Sequence, residues 1–529
     1  MKRTLVYAIL LLLVTTALAG FHWRFFFWVT LALAPFGLVA AWDMFQARHT
    51  LLRNYPIFGH IRYLLEDFRH QIRQYFIEGD RDEVPFSRVQ RSTVYRRAKG
   101  ENDSIPFGKL INVYEPGYEW FEHSIAPVEP PGELPRTTVG GEQCDKPYSA
   151  SLLNISAMSY GALSSNAILA LNLGAKLGNF FHDTGEGGIS RYHTEHGGDL
   201  VWEIGTGYFG CRTKHGDFDP ERFKAGAQRE QVRMTELKLS QGAKPGGGGL
   251  LPGGKVTPEI AEARGIPVGE DCHSPPGHRV FDTPTGLMEF VAKMREMSGG
   301  KPAGFKLCLG KRVEFMAVCK AMLETGIYPD FITIDGSEGG TGAAPPELTQ
   351  SMGLGLRDGL IFAHNALVGA GIRQRMKIIC AGKVITGFDI AAKIAMGADM
   401  CNSARGMMFA LGCIQARHCN KNICPTGITT HDPWRVHGLV VADKAPRVAN
   451  FHRSTLQHFQ MVLGACGLRE PSELEPGMLW RRISQMHTRH YRELYEYLEP
   501  GELVEGSDRR AWRELWSQAS AASFRPAPA

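Results

Sequence analysis

"MKIICAGKVITGFDIAAKIAMGADMCNS" (376–403) contains a strand, a helix and a second strand in succession. The apolar run 376–381 predicts a buried strand, "DIAAKIAMG" predicts a helix, and "DMCNS" (399–403) predicts the next strand. A helix that joins two buried strands is the usual crossover of a parallel sheet. The stretch therefore favours an α/β fold with parallel strands.

The same alternation begins near residue 150 and continues to about residue 435. Further strands are predicted at "SLLNIS" (151–156), "ELKLS" (236–240), "GFKLCL" (304–309) and "FITID" (331–335). Repeated βα units over this length predict a (β/α)8 TIM barrel, in which chemistry collects at the carboxyl ends of the strands. The residues that stand at or near those ends are Gln241, Lys306, Asp335, Gly382 and Arg405.

Two glycine-containing turns, "AGKVITG" (381–387) and "SARG" (403–406), follow the last two predicted strands. Such turns lead into helix N-termini, where backbone N–H groups can hold a phosphate, and many barrels bind phosphate after strands seven and eight. The phosphate candidates are Gly382, Lys383, Ala404 and Arg405. The alternative is that the glycines serve only the turns, and neither turn matches a P-loop.

Three cysteines, Cys413, Cys419 and Cys424, lie close together in "CIQARHCNKNICPTG" (413–427). A disulfide framework, a zinc site with His418 as fourth ligand, and an iron–sulfur cluster are the three interpretations. Thiolates are soft ligands, and a Cys-Pro pair that ends a cysteine run is typical of iron–sulfur proteins. The pattern favours the iron–sulfur cluster and leaves zinc as the alternative.

The composition is that of a globular protein, with 43% hydrophobic and 21% charged residues. The net charge of +5 is spread over 529 residues without a dense Lys/Arg stripe, which argues against a nucleic-acid partner. Most of the 11 cysteines lie far apart, several in apolar runs. We expect buried free thiols and a reducing compartment.

Two uncharged apolar runs, 4–20 and 25–42, open the chain. Each is close to the length that an α-helix needs to cross a bilayer, which predicts a hairpin of two transmembrane helices. Lys2 and Arg3 precede the pair and several arginines follow it, so both ends should face the cytoplasm at the inner or plasma membrane. The alternative for the first run is a secretory signal peptide.

Four motifs together resemble one family: "MSYGALSSNAILALNLGAKLGNFFHDTGEGG" (158–188), "LKLSQGAKPGGGGLLPGGKVTPEIAEAR" (237–264), "IDGSEGGTGAAP" (334–345) and the cysteine run. They are similar to the FMN-binding synthase domain of glutamate synthases, in the family's order, over about residues 100–435. The resemblance implies an FMN cofactor and a [3Fe–4S] cluster held by Cys413, Cys419 and Cys424.

The resemblance also implies the surroundings of the flavin and the substrate. The implied flavin-binding residues are Met158, Ser159, Tyr160, Gln241, Lys306, Glu338, Gly340 and Thr341. For Lys306 the alternative is a structural ion pair inside the barrel, since a buried lysine needs an anionic partner. Lys244 and Arg264 match positions associated with the carboxylates of 2-oxoglutarate, and Glu186 matches an acidic position at the same site.

The chain departs from the family pattern at three positions near the substrate. Gly247 and Leu250 stand where the family has a Glu and a Gln, and Tyr208 stands where it tends to have a cation. Lost polar contacts can change the ligand that a pocket accepts, so the identity of the 2-oxo acid is open. No glutaminase domain precedes the barrel region, so glutamine use would need a separate glutaminase subunit, with free ammonia or another amine as the alternative.

The resulting hypothesis is a membrane-anchored iron–sulfur flavoprotein that converts 2-oxoglutarate, through 2-iminoglutarate, to L-glutamate. Its electron donor would be ferredoxin or an NAD(P)H-oxidising subunit. The alternatives are an amino-acid or hydroxy-acid dehydrogenase that reduces a membrane acceptor, and a non-catalytic electron relay. The expected segments are an anchor (1–44), a helical or irregular lead-in (45–145), the barrel (146–435) and a helical extension (436–529) that packs on the barrel or forms a homo-oligomer contact.

Overall fold

The computed structural model describes residues 2–46, 48–82, 84–130 and 132–527 of the chain. The predicted flanking charges Lys2 and Arg3 have side chains outside the described part. The chain divides into two compact units, Met1–Val89 and Gln90–Ala529. The predicted segment boundaries near residues 44, 145 and 435 remain predictions.

Eight parallel strands of the second unit close into a barrel, which confirms the predicted fold. The strands are β1 Leu153–Ile155, β2 His182–Asp183, β3 Leu200–Ile204, β4 Val232–Lys238, β5 Ala303–Cys308, β6 Phe331–Asp335, β7 Lys377–Ala381 and β8 Met400–Ser403. Six of these overlap predicted strands, whereas β2 and β3 were not predicted. Strand β2 has only two residues, and both β2 and β3 carry an acidic residue that interrupts the apolar pattern.

Helices surround the barrel and connect its strands. Their bounds are Ser165–Gly178, Arg191–Thr194, Pro220–Ala227, Pro258–Arg264, Pro284–Met297, Arg312–Thr325, Pro346–Ser351, Leu356–Gly369, Gly387–Ala395 and Arg405–Leu411, with 3-10 turns at Gly253–Lys255 and Arg373–Arg375. Side chains on the outer face of the strands pack against these helices, as where Trp202 stacks on Phe223 with ring centroids 5.3 Å apart. Strand residues that alternate with these point into the barrel.

The C-terminal extension begins with helix Val441–Ala465, which packs on Ser165–Gly178, Gly387–Ala395 and Arg405–Leu411. A short helix, Pro433–His437, precedes Val441–Ala465, and the further helical elements are Pro471–Glu473, Pro476–Met478, Tyr491–Leu494, Glu502–Glu505 and Arg510–Gln518. The extension is thus mainly helical and its first helix packs on the barrel layer.

The centre of this extension, "WRRISQMHTRHYRELYEYLE", differs from the helical expectation. Strands Leu479–Arg482 and Thr488–His490 form an antiparallel hairpin, and Leu479–Arg482 also pairs with Glu119–Phe121. Arg481 and Tyr491 both donate hydrogen bonds to Oε1 of Glu119. Contacts with a strand distant in sequence therefore override the local helical pattern. The second unit also contains most of helix Arg88–Lys99, which begins at the end of the first unit. Two further strand pairs are Arg136–Val139 with Tyr148–Ser151 and Leu250–Leu251 with Cys272–His273.

The first unit begins with helices Lys2–Gly20 and Arg24–Phe45, which pack against each other as a hairpin. Thr50–Asn54, Phe58–Ile72 and the π-helical turn Arg73–Ile77 follow. Among the described residues, one helix, Arg24–Phe45, is long and apolar enough to cross a membrane, and the apolar part of the first helix is the shorter stretch Leu11–Gly20. The hairpin is therefore present, but the structure does not support two membrane-spanning helices.

Candidate functional site

A line of alternating charges runs from inside the barrel to its C-terminal mouth. The Nζ atom of Lys306, on β5, lies 3.1 Å from Oε2 of Glu203, on β3, and both side chains are buried. Lys238, the last residue of β4, lies 3.9 Å from Glu203 and 3.1 Å from Oε2 of Glu186 in the loop after β2. Lys306 thus forms an ion pair inside the barrel, which was the structural alternative to a flavin contact. Lys238 is a second lysine, and it lies nearer the mouth.

Glu203 belongs to a group of three acids, with Asp183 and Glu236, whose carboxylate oxygens lie within 4.8 Å of one another. Burial, together with the neighbouring carboxylates, raises the pKa of Asp183 well above its usual range. Burial also raises the pKa of Glu236 to about 7. Burial alone would lower the pKa of Lys306, but Glu203 and the other nearby carboxylates outweigh it and raise that pKa, so the ammonium stays charged.

Lys244, Glu186 and Arg264, the predicted substrate residues, are brought together with Lys238. Burial alone would raise the pKa of Glu186, but Lys238, Arg264 and Lys244 together lower it. Burial lowers the pKa of the Lys244 ammonium, which donates a 3.4 Å hydrogen bond to the carbonyl of Ala343. One carboxylate among three cations leaves this part of the mouth positively charged.

Arg264 lies against the loop that contains the predicted flavin residues Met158, Ser159 and Tyr160. Its Nη2 atom donates to Oγ of Ser159 at 3.3 Å and to the carbonyl oxygen of Tyr160 at 3.2 Å. Met158 and Tyr160 are buried. The hydrogen bonds of Arg264 therefore hold the shape of this loop, a role that the sequence motif did not suggest.

The loops after β4, β6 and β8 also meet at the mouth. Asp335 accepts a 2.8 Å hydrogen bond from the amide of Gly242, next to Gln241, and burial raises the pKa of Asp335. A Cβ atom on Gly242 would lie 1.7 Å from the carbonyl oxygen of Gly336, so only glycine fits there. Arg405 donates a 2.6 Å hydrogen bond to the carbonyl oxygen of Glu338. The neighbouring predicted residues Gly340 and Thr341 are exposed.

The predicted phosphate candidates Gly382, Lys383, Ala404 and Arg405 also lie at this end of the barrel. Burial, and then the charge of Arg405, lowers the pKa of Lys383, which places the two cations near each other. A Cβ on Gly340 would lie 3.0 Å from Nη1 of Arg405, so the glycine leaves room beside that guanidinium.

The helix that follows the first of the two predicted phosphate turns has its own cap. Thr386 caps helix Gly387–Ala395, and Asp389 accepts hydrogen bonds from the amides of Ile385 and Thr386. Asp389 thus uses two amides of the turn, and the phosphate role of Gly382, Lys383, Ala404 and Arg405 stays a prediction. Lys383 and Arg405 are the two residues with cationic side chains among these phosphate candidates.

Cys413, Cys419 and Cys424 lie on a loop that follows helix Arg405–Leu411. All 11 cysteines are free, so the disulfide interpretation is wrong for this loop. The backbone adopts positive φ at Gln415, Arg417 and Asn422, which lets the loop turn sharply between the cysteines.

The buried Lys255, which the sequence did not indicate, joins the cysteine loop to the mouth. Its Nζ donates to the carbonyl oxygens of Cys419 at 3.2 Å and Thr429 at 3.1 Å, and to that of Ala162 at 3.2 Å. Ala162 follows the Met158–Tyr160 loop. The same side chain therefore fixes both loops, and it places a positive charge beside two of the cysteines.

The residues that sequence reasoning missed are Asp183, Glu203, Glu236, Lys238 and Lys255. Glu236 and Lys238 are two residues apart on β4, so the alternation of the strand puts both on the inner face. That spacing was the available signal for them.

Of the departures from the family pattern, Tyr208 is fully buried and its hydroxyl accepts a 3.0 Å hydrogen bond from the amide of Arg279, whereas Leu250 is partly exposed.

The closed parallel sheet defines a TIM barrel, whose carboxyl-end mouth contains several cationic side chains. The sequence model of one family, described as the conserved region in glutamate synthase, matches residues 133–469. YerD, a glutamate synthase large subunit-like protein from Bacillus subtilis, is 35% identical over 484 residues, which cover 84% of this chain and 92% of YerD. The chain belongs to the glutamate synthase family and is an oxidoreductase that acts on CH–NH2 donors.

Other relatives match over a smaller part of their length. An archaeal-type glutamate synthase (NADPH) from Thermotoga neapolitana is 34% identical over 313 residues, which cover 59% of this chain and 58% of that protein. Among solved structures, a flavocytochrome b2 variant is 11% identical and covers 83% of this chain and 91% of its own, with a TM-score of 0.41. A mandelate oxidase variant is 12% identical, with coverages of 81% and 98% and a TM-score of 0.40. The barrel assignment rests on the closed sheet itself.

Proposed function

We propose that the protein forms L-glutamate from 2-oxoglutarate and ammonia, using FMN in the barrel mouth and an iron–sulfur cluster on the cysteine loop. An external electron donor, a ferredoxin or an NAD(P)H-oxidising subunit, would supply the electrons. The observation that carries the proposal is the convergence of Lys238, Lys244, Arg264 and Glu186 at the carboxyl end of the barrel. Cationic groups around a single carboxylate suit a dicarboxylate substrate.

The residues at the mouth fit FMN by the chemistry of their donors. Lys383 and Arg405 are neighbouring cations beside glycine positions, which suits a phosphate. Met158 and Tyr160 are buried side chains on the loop above the barrel, and Lys306 keeps its positive charge among the inner carboxylates. When bound, FMN supplies hydride transfer and an iron–sulfur cluster supplies one-electron transfer.

The cysteine loop fits an iron–sulfur cluster because it offers three unpaired thiols without a disulfide. Hydroxyl and backbone groups of Thr426 and Thr429 lower the pKa of Cys424 although burial alone would raise it. Lys255 adds a cation beside the loop, and its hydrogen bonds tie the loop to Ala162 at the mouth. These groups would offset the negative charge of thiolate ligands.

Each charged side chain then has a role in binding the substrate. Lys244 is buried and lies beside Glu186, so its ammonium can hold a carboxylate group in a site from which water is largely excluded. Lys238 sits between Glu186 and Glu203. Burial alone would raise the pKa of Glu186, but Lys238, together with Arg264 and Lys244, lowers it. Arg264 adds positive charge and holds the Ser159–Tyr160 loop in position.

Replacing Lys244 with methionine should lower kcat/KM for 2-oxoglutarate by about 10- to 100-fold. A hydrogen bond to a charged group contributes about 1.5–3 kcal/mol, and each 1.36 kcal/mol is about tenfold in rate. The measurement is anaerobic turnover with 2-oxoglutarate, ammonia and a reduced donor, with glutamate quantified directly. Flavin content should match the wild type, since Lys244 is not among the phosphate candidates.

The matched control is Lys311→Met, which removes a lysine whose side chain is 74% exposed and whose nearest carboxylate lies 3.6 Å away. Lys311→Met should leave kcat/KM within about twofold, as most surface changes do. An unchanged kcat/KM in Lys244→Met would contradict the substrate assignment. Absence of glutamate formation in the wild type, with intact flavin and cluster, would favour the dehydrogenase or the electron relay.

We also propose that the first unit anchors the enzyme to the inner or plasma membrane, with the barrel on the cytoplasmic side. The support is helix Arg24–Phe45, which is 22 residues long and has mostly exposed apolar side chains. The full chain should stay in the membrane pellet after carbonate washing and dissolve in detergent. Leu33→Arg should move it to the soluble fraction, because an arginine at the centre of a membrane helix costs about 2.5–3.5 kcal/mol. Release of the wild type by carbonate would contradict the anchor.

A further inference from the structure

Lys238 is the last residue of strand β4, and its side chain lies between two acids. Its Nζ atom is 3.1 Å from Glu186 and 3.9 Å from Glu203, and the side chain is only 10% exposed. The parallel ladder between β3 and β4 ends at the pair Ile204–Leu237, one residue before Lys238. Strand β3 therefore does not pair with the residue that carries this ammonium.

His278, in the connection between β4 and β5, contacts the main chain of Lys238. Its Nε2 atom lies 2.9 Å from the carbonyl oxygen of Lys238, and its Nδ1 atom lies 3.2 Å from the hydroxyl oxygen of Tyr208. Because a carbonyl oxygen only accepts, Nε2 carries the proton, and Nδ1 of the neutral ring accepts from the hydroxyl of Tyr208. Burial lowers the pKa of His278 to about 4, so the ring is neutral at neutral pH.

The hydroxyl of Tyr208 both accepts and donates a hydrogen bond. It accepts from the amide of Arg279 at 3.0 Å and donates to His278, and the residue is fully buried. Burial raises the pKa of Tyr208, so the hydroxyl keeps its proton. A lysine or an arginine has only donors and could not accept from the amide of Arg279. These hydrogen bonds thus depend on a residue that stands where the family tends to have a cation.

The loop that contains this histidine is held beside the mouth. Oγ1 of Thr206 donates a 2.5 Å hydrogen bond to the carbonyl oxygen of Pro275. A Cβ atom on Gly249 would lie 2.7 Å from Oγ of Ser274 and 2.9 Å from Oε1 of Glu186, so the backbone packs closely there. The loop is therefore fixed next to the acid that the β4 lysine contacts.

We propose that Tyr208 and His278 are positioning residues that hold Lys238 at the mouth. Their hydrogen bonds run in one direction, from the amide of Arg279 to the carbonyl oxygen of Lys238, so each donor has an acceptor. Neither residue is among the substrate, flavin or cluster residues proposed above. A consequence for 2-oxoglutarate binding rests on the proposed function, whereas the position of Lys238 does not.

The test measures how fast Lys238 reacts with a small amine reagent in the purified full chain in detergent. Reductive methylation with formaldehyde and borane, followed by mass spectrometry of peptides, gives a rate for each lysine. His278→Leu removes the donor to the carbonyl oxygen, and an amine that leaves its ion pairs reacts faster. The Lys238 rate should rise by about three- to tenfold, the range expected for one lost hydrogen bond. Lys244 and Lys306, buried in the same barrel, should keep their wild-type rates.

Further variants separate the hydrogen bonds from the rings. His278→Gln keeps an N–H donor, so the Lys238 rate should stay within about twofold of the wild type. Tyr208→Phe removes only the hydroxyl and should raise the Lys238 rate, and it carries the test if His278→Leu does not fold. The matched control is Tyr148→Phe, which removes a hydroxyl that donates a 2.9 Å hydrogen bond to Asp199, just before β3. This control should leave the Lys238 rate within about twofold, because the site is distant.

An unchanged Lys238 rate in both His278→Leu and Tyr208→Phe would overturn the proposal. An equal rise at Lys244 and Lys306, or a rate in His278→Gln as high as in His278→Leu, would overturn it too.

In an enzyme that forms glutamate, His278→Leu should raise KM for 2-oxoglutarate by about three- to tenfold and leave kcat within about twofold, as when substrate and transition state lose the same contact. An unchanged KM would overturn the role of the pair in substrate binding. Failure of the wild type to form glutamate would overturn the proposed function only, since the methylation rates do not depend on turnover.

Discussion

Replacing Lys306 with methionine is expected to lower the free energy of unfolding of the barrel by about 3–5 kcal/mol and to remove bound flavin. Removing one partner of a buried ion pair leaves the other charge without compensation, which is the physical reason for this large effect. Glu203, at 3.1 Å, would lose its nearest cation, and Asp183, Glu236 and Asp335 would lose a shared one. Denaturant unfolding and flavin fluorescence measure the two effects.

The effect should depend on pH with a definite sign. Burial already raises the pKa values of Asp183 and Glu236, and Lys306 opposes that rise. Without Lys306 these carboxyls hold protons more tightly in the folded state than in the unfolded state. A raised acid pKa costs stability as pH increases through it, so the loss should be larger at pH 8 than at pH 5.5.

The double variant Glu203→Gln/Lys306→Met separates the structural role of Lys306 from a role at the flavin. Removing both charges of a buried pair is often close to neutral, so most of the lost stability should return. Flavin content should remain low if Lys306 acts on the cofactor. Full recovery of flavin together with stability would show that Lys306 is only a structural ion pair.

Much of the barrel could be predicted because its strands are apolar and locally recognisable. "FITID" was predicted with the bounds of β6, and "MKIICA" exceeds β7 by one residue. Strands β2 and β3 were not predicted, because Asp183 and Glu203 point into the barrel, where an apolar pattern is expected. The hairpin at Leu479–His490 was not predicted either, because Glu119–Phe121, the strand that pairs with it, is distant in the sequence.

In the candidate site, too, residues inside local sequence motifs could be predicted, whereas contacts between distant segments could not. Motifs marked Lys244, Arg264, Glu186 and the cysteines, because each lies in a distinctive local stretch. The pairs Lys306–Glu203 and Lys238–Glu186 could not be predicted, since each joins two strands or loops that meet only in the closed barrel. Lys255 is similar: its three carbonyl partners come from separate loops.

Replacing Cys419 with serine is expected to reduce bound iron and acid-labile sulfide by more than about tenfold, because a hydroxyl is a poor substitute for a soft thiolate ligand. The substitution is nearly isosteric, and Lys255 contacts the backbone oxygen of Cys419 rather than its sulfur. The fold and the flavin content should therefore remain. Iron and sulfide analysis, with an EPR spectrum of the anaerobically purified protein, makes the measurement.

The matched control is Cys466→Ser, at the end of helix Val441–Ala465, outside the cysteine loop. It should retain wild-type iron. Stoichiometric zinc in place of iron, or full iron in Cys419→Ser, would contradict the proposed cluster. If Cys419→Ser retains flavin and forms glutamate with a chemical hydride donor but not with a one-electron donor, the cysteine loop is the entry point for electrons. Lys255, hydrogen-bonded to both Cys419 and Ala162, would then mark where that loop meets the mouth.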